Sequence, residues 1–230
     1  MPNASTPFGL KIVKNQSGVI TRAPERIIVA AASATAANIP AIAAGDPVYI
    51  DGNGYVQKAL TGAAGGNNII GTFAGVEYSD SSGKRTVSNW WSTPAVYDGS
   101  EVWFWFTAAS GPDTIFEIQT YGGVNGNTGT NIITQSIIGN TFNIVNPAGV
   151  FNKTTGFSVA CLDTSGWTAG GTGAANGLLI VYGLAYDPTL NLTYTPGTPA
   201  ASGINNWSDP FVNLYVKLAK PEFAGAPAAF

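Results

Sequence analysis

Apolar residues along this chain fall in short runs, some alternating with polar residues and some continuous, and almost nowhere at helical spacing. The runs predict strands at Arg26 to Ala30, Pro47 to Ile50, Tyr55 to Ala59, Ile69 to Val76 and Glu101 to Thr107. They predict more at Thr114 to Thr120, Thr141 to Val145, Phe157 to Cys161, Leu178 to Ala185 and Phe211 to Leu218. Turn signals separate them. Asp51-Gly52-Asn53-Gly54 reads as a tight hairpin. Asp80-Ser81-Ser82-Gly83, Asp98-Gly99 and Asn125-Gly126 read as further turns. The pattern is that of an all-β chain, an antiparallel sandwich or barrel-like domain.

One stretch fits the helical template, the alanine-rich Ala30 to Ala44. Asn38 and Pro40 interrupt it and no apolar stripe runs along it, so a short helix and an extended connector both stand. Residues 1–25 carry few bulky apolar groups, prolines at positions 2 and 7, and the basic residues Lys11, Lys14 and Arg22. They read as an N-terminal arm. The β domain then spans 26–218, with a small hairpin lobe at about 45–87 and a larger lobe at about 89–218. Residues 219–230 form a C-terminal tail. Phe223 and Phe230 have no reason to stand in a purely solvated tail, so both termini read as reaching for a neighbour.

Composition changes the picture in one respect. Hydrophobic residues make up 45% of the 230 but charged residues only 10%, against roughly 25% in an ordinary soluble domain. A folded chain with so few charges is expected to have much of its outside covered by another surface. Net charge is −3 and the ten basic residues are scattered, which argues against a phosphate backbone as ligand. No apolar run approaches the roughly 20 residues of a membrane helix, and the N-terminus lacks the pattern of a signal peptide. The expectation is synthesis in a cytoplasm, with no membrane and no nucleic acid as partner.

Catalytic chemistry finds little footing. The chain has no histidine, which removes the commonest general base and metal ligand. Cys161, the single cysteine, sits in the apolar run Phe157 to Cys161 and reads as a core residue. The stretch ending Gly83-Lys84-Arg85 lacks both the spacing and the hydroxyl of a phosphate loop. Asp51-Gly52-Asn53-Gly54 opens like a calcium loop but lacks the later oxygen ligands. Glu101 and Glu117, on adjacent predicted strands, could in principle face a common cleft, but among thirteen acidic residues such a pair arises by chance. The expectation is no enzyme, no cofactor and no metal.

The aromatic residues say more. In Glu101-Val102-Trp103-Phe104-Trp105-Phe106-Thr107, alternation puts Val102, Phe104 and Phe106 on one face and Trp103 and Trp105 on the other. Both faces are apolar, so both require cover: one from the core, the other from a second lobe, a symmetry mate or a ligand. Burial on both sides within one protomer is the plain alternative.

Several segments, in order along the chain, resemble the head decoration or cement proteins of tailed bacteriophages. Asn3 to Lys11, with its Pro7-Phe8-Gly9-Leu10 core, is similar to the family's start. Gly45 to Asp51 with Gly54 to Ala59 resembles its first hairpin, and Ile69 to Tyr78 the strand after it. Asp113 to Gln119 is the most distinctive match, and Gly183-Leu184, Asp187 to Asn191 and Asn213 to Lys217 resemble the closing strands. The insert Gly122 to Ile138 and the end Leu218-Ala219-Lys220 depart from the family pattern. The resemblance implies a non-enzymatic virion protein on the outside of an expanded head, trimeric, that locks the major capsid protein against internal pressure. Its candidate contact residues are Phe8, Leu10, Lys11, Ile12 and Lys14 of the arm, Trp90, Trp91, Trp103 and Trp105, and Phe223 and Phe230 of the tail. The alternative function is a carbohydrate- or receptor-binding β module of a phage tail or surface, with Trp90, Trp91, Trp103, Trp105, Trp167 and Trp207 as stacking platforms.

Overall fold

A computed structural model describes residues 7–15, 25–29, 41–50, 56–59, 69–91, 102–108, 114–121, 133–146, 152, 154–165, 167, 177–185, 205, 207 and 211–219. In chain order the strands are β1 (Lys11–Asn15), β2 (Glu25–Val29), β3 (Ile42–Ala43), β4 (Pro47–Ile50) and β5 (Val56–Lys58). Then come β6 (Gly71–Ser79), β7 (Arg85–Ser88), β8 (Trp90–Trp91), β9 (Val102–Ala108) and β10 (Thr114–Gln119). The last are β11 (Thr141–Phe142), β12 (Ile144–Val145), β13 (Cys161–Leu162), β14 (Leu179–Leu184) and β15 (Asn213–Leu218). Among the described residues the only helical element is a single 3-10 turn at Gln135–Ile137. The protein is all-β.

Two antiparallel sheets carry most of it. One has five strands in the order β1-β10-β15-β14-β11. The other has six, β2-β9-β6-β4-β5 with β7 paired on β6. Two-stranded pairs, β3-β8 and β12-β13, complete the set. Among the described residues no sheet closes into a barrel, and the arrangement is that of an open sandwich.

Each large sheet has its own core. On β15 the period of two is regular: Leu214, Val216 and Leu218 are buried while Asn213, Tyr215 and Lys217 are half-buried. They join Leu10, Phe116, Ile118, Phe142, Leu162, Trp167, Leu179 and Val181 in the first core. The second core holds Ile42, Val48, Ile70, Phe73, Val76, Trp91, Val102, Phe104 and Phe106. Edge-to-face ring contacts tie its aromatic members together, Phe73 on Phe104 at 5.2 Å and Tyr78 on Trp91 at 5.1 Å between centroids. Cys161 is buried as expected, and burial pushes its thiol pKa up to about 12.

Two expectations about organisation are corrected. The lobes at 45–87 and 89–218 are not the structural units, because β9 from the second pairs along β6 from the first, through Phe73↔Phe106, Gly75↔Trp105 and Glu77↔Trp103. β2 covers β9 on its other edge. Both edges of β9 are thus paired within the chain, while of its two faces the Val102, Phe104 and Phe106 side is buried and the Trp103 and Trp105 side half-buried. The N-terminal arm is corrected over residues 7–15. β1 pairs with β10 through Lys11↔Glu117 and Ile12↔Phe116, and Leu10 is buried in the first core. A Leu side chain taken fully from water stabilises by about 2 kcal/mol, so this segment gains by folding onto its own chain. The Ala30 to Ala44 stretch yields β3 at its end; residues 30–40 lie outside the described residues, as do the expected turns Asp98-Gly99 and Asn125-Gly126. The other unforeseen strands are β1, β7 and β8.

Candidate functional site

The sheets are joined by a buried polar knot. Asp46 starts the entry to β4, and its Oδ2 accepts from the Ala43 backbone N–H at 2.8 Å while its own N–H donates to the Ala43 carbonyl at 2.9 Å. Such reciprocal capping is what places an aspartate in a tight turn. Lys58, at the end of β5, puts its Nζ 2.8 Å from Asp46 Oδ2, with side chains 1% and 0% exposed. The Ser158 hydroxyl donates to Asp46 Oδ1 and accepts from the Ala160 N–H at 3.0 Å. Burial raises the Asp46 carboxyl above its ordinary pKa and lowers that of the Lys58 ammonium, each opposed by the partner's charge.

Backbone hydrogen bonds draw three distant segments, at Leu10, Phe73 and Ser158, to residues 44–46 of this knot. Leu10 N–H donates to Gly45 O at 2.7 Å, Gly45 N–H to Phe73 O at 2.9 Å, Phe73 N–H to Asp46 O at 2.8 Å, and Ser158 N–H to Ala44 O at 2.9 Å. The approach requires glycine at position 9, where φ is +78° and a Cβ would stand 2.4 Å from Gly45 O and 2.6 Å from Ser158 Cβ. Nothing in the pattern of polar residues flagged Lys58 or Ser158. Asp46 stood out only within the Gly45-Asp46-Pro47 segment of the resemblance.

Beside the knot opens a cleft of about 530 Å³, lined by Phe8, Leu10, Lys11, Ile12, Gly45, Thr72, Thr107, Glu117 and Phe157. Four of the candidate contact residues thus meet in one wall. Leu10 is turned inward, a correction to its reading as a partner anchor, while Phe8 and Ile12 are half-buried. Lys11 is exposed and ion-paired to Glu117 at 3.8 Å across the β1–β10 register. Phe157 was expected inside a strand and is instead 50% exposed. Asn152 Oδ1 accepts from the N–H groups of Thr154 and Thr155, and the tight loop so closed delivers Phe157 to the surface, bridged to Ala44.

A second opening lies on the same face of β9. Thr107 lines the cleft, and Trp105, two residues back and so on the same face roughly 7 Å away, lines a shallower pocket of about 380 Å³ with Ala74, Gly75, Val87, Ser88 and Asn89. Val87 on β7 is 73% exposed. Trp103 and Trp105 are half-buried, and the face of β9 that carries them is less covered than the Val102, Phe104 and Phe106 face. Trp90 is half-buried on β8. Trp91 is the second correction: it lies 1% exposed in the second core, against Tyr78 and Phe104. Trp167 is likewise interior, packed on Phe142 at 5.7 Å. Lys14 lies on β1 with its side chain outside the described residues, and Phe223 and Phe230 lie outside them altogether. So does Glu101. Glu117 is on β10, in a different sheet from β9.

Among the described residues no group of three His, Cys, Asp or Glu side chains is arranged to hold a metal, and no helix is long and apolar enough to cross a membrane. No protein-family model, no curated protein and no solved structure matches the chain.

Proposed function

We propose that this protein is a structural virion component that attaches to the outer surface of a tailed-phage head and stabilises it, with the major capsid protein and further copies of itself, as a trimer, for partners. The observation that carries the reading is the partly exposed apolar groups at two openings, Phe8, Ile12 and Phe157 at the cleft and Trp105 and Val87 at the pocket that shares a face of β9 with it. Apolar surface grouped in this way on a chain with 10% charged residues suits burial against another protein. The segments that carry the family resemblance also pack on one another: Phe8 to Lys11 on Gly45, Asp46 on Phe73, and β1 on β10 on β15. The localisation that follows is the capsid exterior, reached by assembly in the host cytoplasm.

The test is to mix the purified protein with expanded, decoration-free heads of the phage that encodes it and follow co-sedimentation. Saturable binding that raises the heads' resistance to heat supports the reading. Absence of binding at micromolar protein overturns it. In the carbohydrate-binding alternative, Trp105 above its pocket is the platform best placed, since Trp91 and Trp167 are interior. Glycan-array binding lost on Trp105→Ala would favour that alternative.

A further inference from the structure

We infer that Lys58 and Asp46 are the two ends of an intramolecular isopeptide cross-link that the folded protein forms without any other catalyst. The inference is independent of the function proposed above. Its basis is geometric. A primary amine and a carboxyl group stand 2.8 Å apart with side chains 1% and 0% exposed, the lysine at the end of β5 and the aspartate in the hydrogen-bonded turn that leads into β4. Held together in this way, the two groups react as one unit, and such positioning replaces a bimolecular encounter with a large effective concentration. Burial also disfavours the ionic pair relative to its neutral form, an amine beside a carboxylic acid, which is the reactive form.

The remaining polar contacts sit where the reaction develops charge. One proton passes from the Lys58 ammonium to Asp46 Oδ2, leaving a neutral amine. The Nζ lone pair then bonds to the Asp46 side-chain carbonyl carbon, and the displaced π pair moves onto Oδ1. That oxygen already accepts the Ser158 O–H, a fixed donor aimed at the developing oxyanion, while the Ala43 N–H donates to Oδ2 and holds the carboxyl group in place. Collapse of the tetrahedral species re-forms the carbonyl at Oδ1 and breaks the bond to Oδ2. Oδ2 leaves as water with a second proton from Nζ. The third proton stays on the amide nitrogen. An ammonium and a carboxylate become one amide and one water, with no change of oxidation state. The product ties the start of β4 to the end of β5 at the point where the Gly9, Gly45 and Ser158 segments converge.

The experiment is intact-mass spectrometry of the purified full chain under denaturing conditions, followed by protease mapping. The expected mass is one water below that of the sequence, with a branched peptide joining the segment of Asp46 to that of Lys58. Lys58→Arg, which keeps the charge but offers no comparable nucleophile, is expected to show the full sequence mass. The denaturing measurement does not depend on that variant folding. Ser158→Ala is expected to slow the mass change in freshly synthesised protein by about 100-fold. A wild-type chain that keeps its full sequence mass overturns the inference and leaves an ordinary buried ion pair. A lost water that persists in Lys58→Arg also overturns it, by assigning the loss to cyclisation at Asp51-Gly52 or Asp98-Gly99.

Discussion

Asp46 and Lys58 meet at 2.8 Å with both side chains all but sealed from water, whereas Lys11 reaches Glu117 at 3.8 Å with 67% of its side chain exposed. Arg85 on Glu77 is a second surface pair, with the arginine 61% exposed. The chemistry of the groups is nearly the same in the three places and the energetic stakes are not. In the knot, water cannot replace a missing partner, so the structure there depends on both groups being present. On the surface it can, and the pairs contribute little. The difference also divides the molecule by role. The sealed pair stands where the two sheets are stitched together, and the Lys11 pair stands at the rim of the proposed attachment cleft.

The comparison breaks most visibly at Lys58. Lys58→Met removes both the counter-charge and the amine of the inferred cross-link, leaves the Asp46 carboxylate buried, and is expected to lower stability by at least about 3–5 kcal/mol at neutral pH, read from urea unfolding. The loss depends on pH with a definite sign. Burial holds the folded Asp46 pKa above the ordinary value of 3.8, and removing the lysine removes an opposing effect. A carboxyl group with a raised folded pKa stabilises fully below its unfolded pKa and loses that contribution as pH rises through the folded value. The deficit of Lys58→Met is therefore expected to be smaller near pH 4 and to grow toward neutrality. A deficit that is constant across that range would mean that Asp46 is not the group left stranded.

Leu10→Ala is next, with an expected loss of about 3 kcal/mol for a fully buried leucine. It sharpens the contrast between the wall of the cleft and its rim, because Lys11 beside it is exposed. A chain that tolerated Leu10→Ala without loss would restore the segment to the status of a detachable arm. Gly9→Ala follows, at roughly 1–3 kcal/mol for a strained left-handed residue, with a Cβ pressed on Gly45 O besides. Thermal unfolding measures both.

These positions also mark how far the sequence could be read. Strands such as β4, β9, β10 and β15 were legible because their alternation or continuous apolar character is local. β7 and β8 were not, since Arg85 to Ser88 is polar and Trp90–Trp91 is two residues long, and both owe their strand geometry to β6 and β3. Leu10 looked like an arm residue because its burial depends on Phe116 and Ile118 more than a hundred positions away. The wall of the cleft was half legible: Phe8, Lys11 and Ile12 were named, while Phe157, Thr72 and Thr107 came to it through long-range pairing. The knot was least legible of all. Asp46, Lys58 and Ser158 are ordinary residue types at unremarkable spacings, and only the fold brings them within hydrogen-bonding reach.

Arg85→Ala is the smallest expected effect and the one that fixes the other side of the comparison. Arg85 meets Glu77 through both Nε and Nη2, diagonally across the β6–β7 register in which Glu77 faces Val87. Cross-strand opposite charges contribute roughly 0.2–1 kcal/mol, and exposure of 61% of the arginine places this pair toward the lower end. Glu77 keeps 15% of its side chain in water, so the carboxylate left behind is hydrated rather than stranded. The loss is expected to stay below about 1 kcal/mol and to shrink further at about 1 M salt, where screening acts within about 3 Å. The deficit of Lys58→Met, beyond the reach of ions, is expected to hold at the same salt. Urea unfolding of both variants at low and high salt checks this directly. A loss of about 3 kcal/mol from Arg85→Ala that persists at high salt would show that β7 depends on its ion pair as the knot does, and burial would no longer be what separates the two.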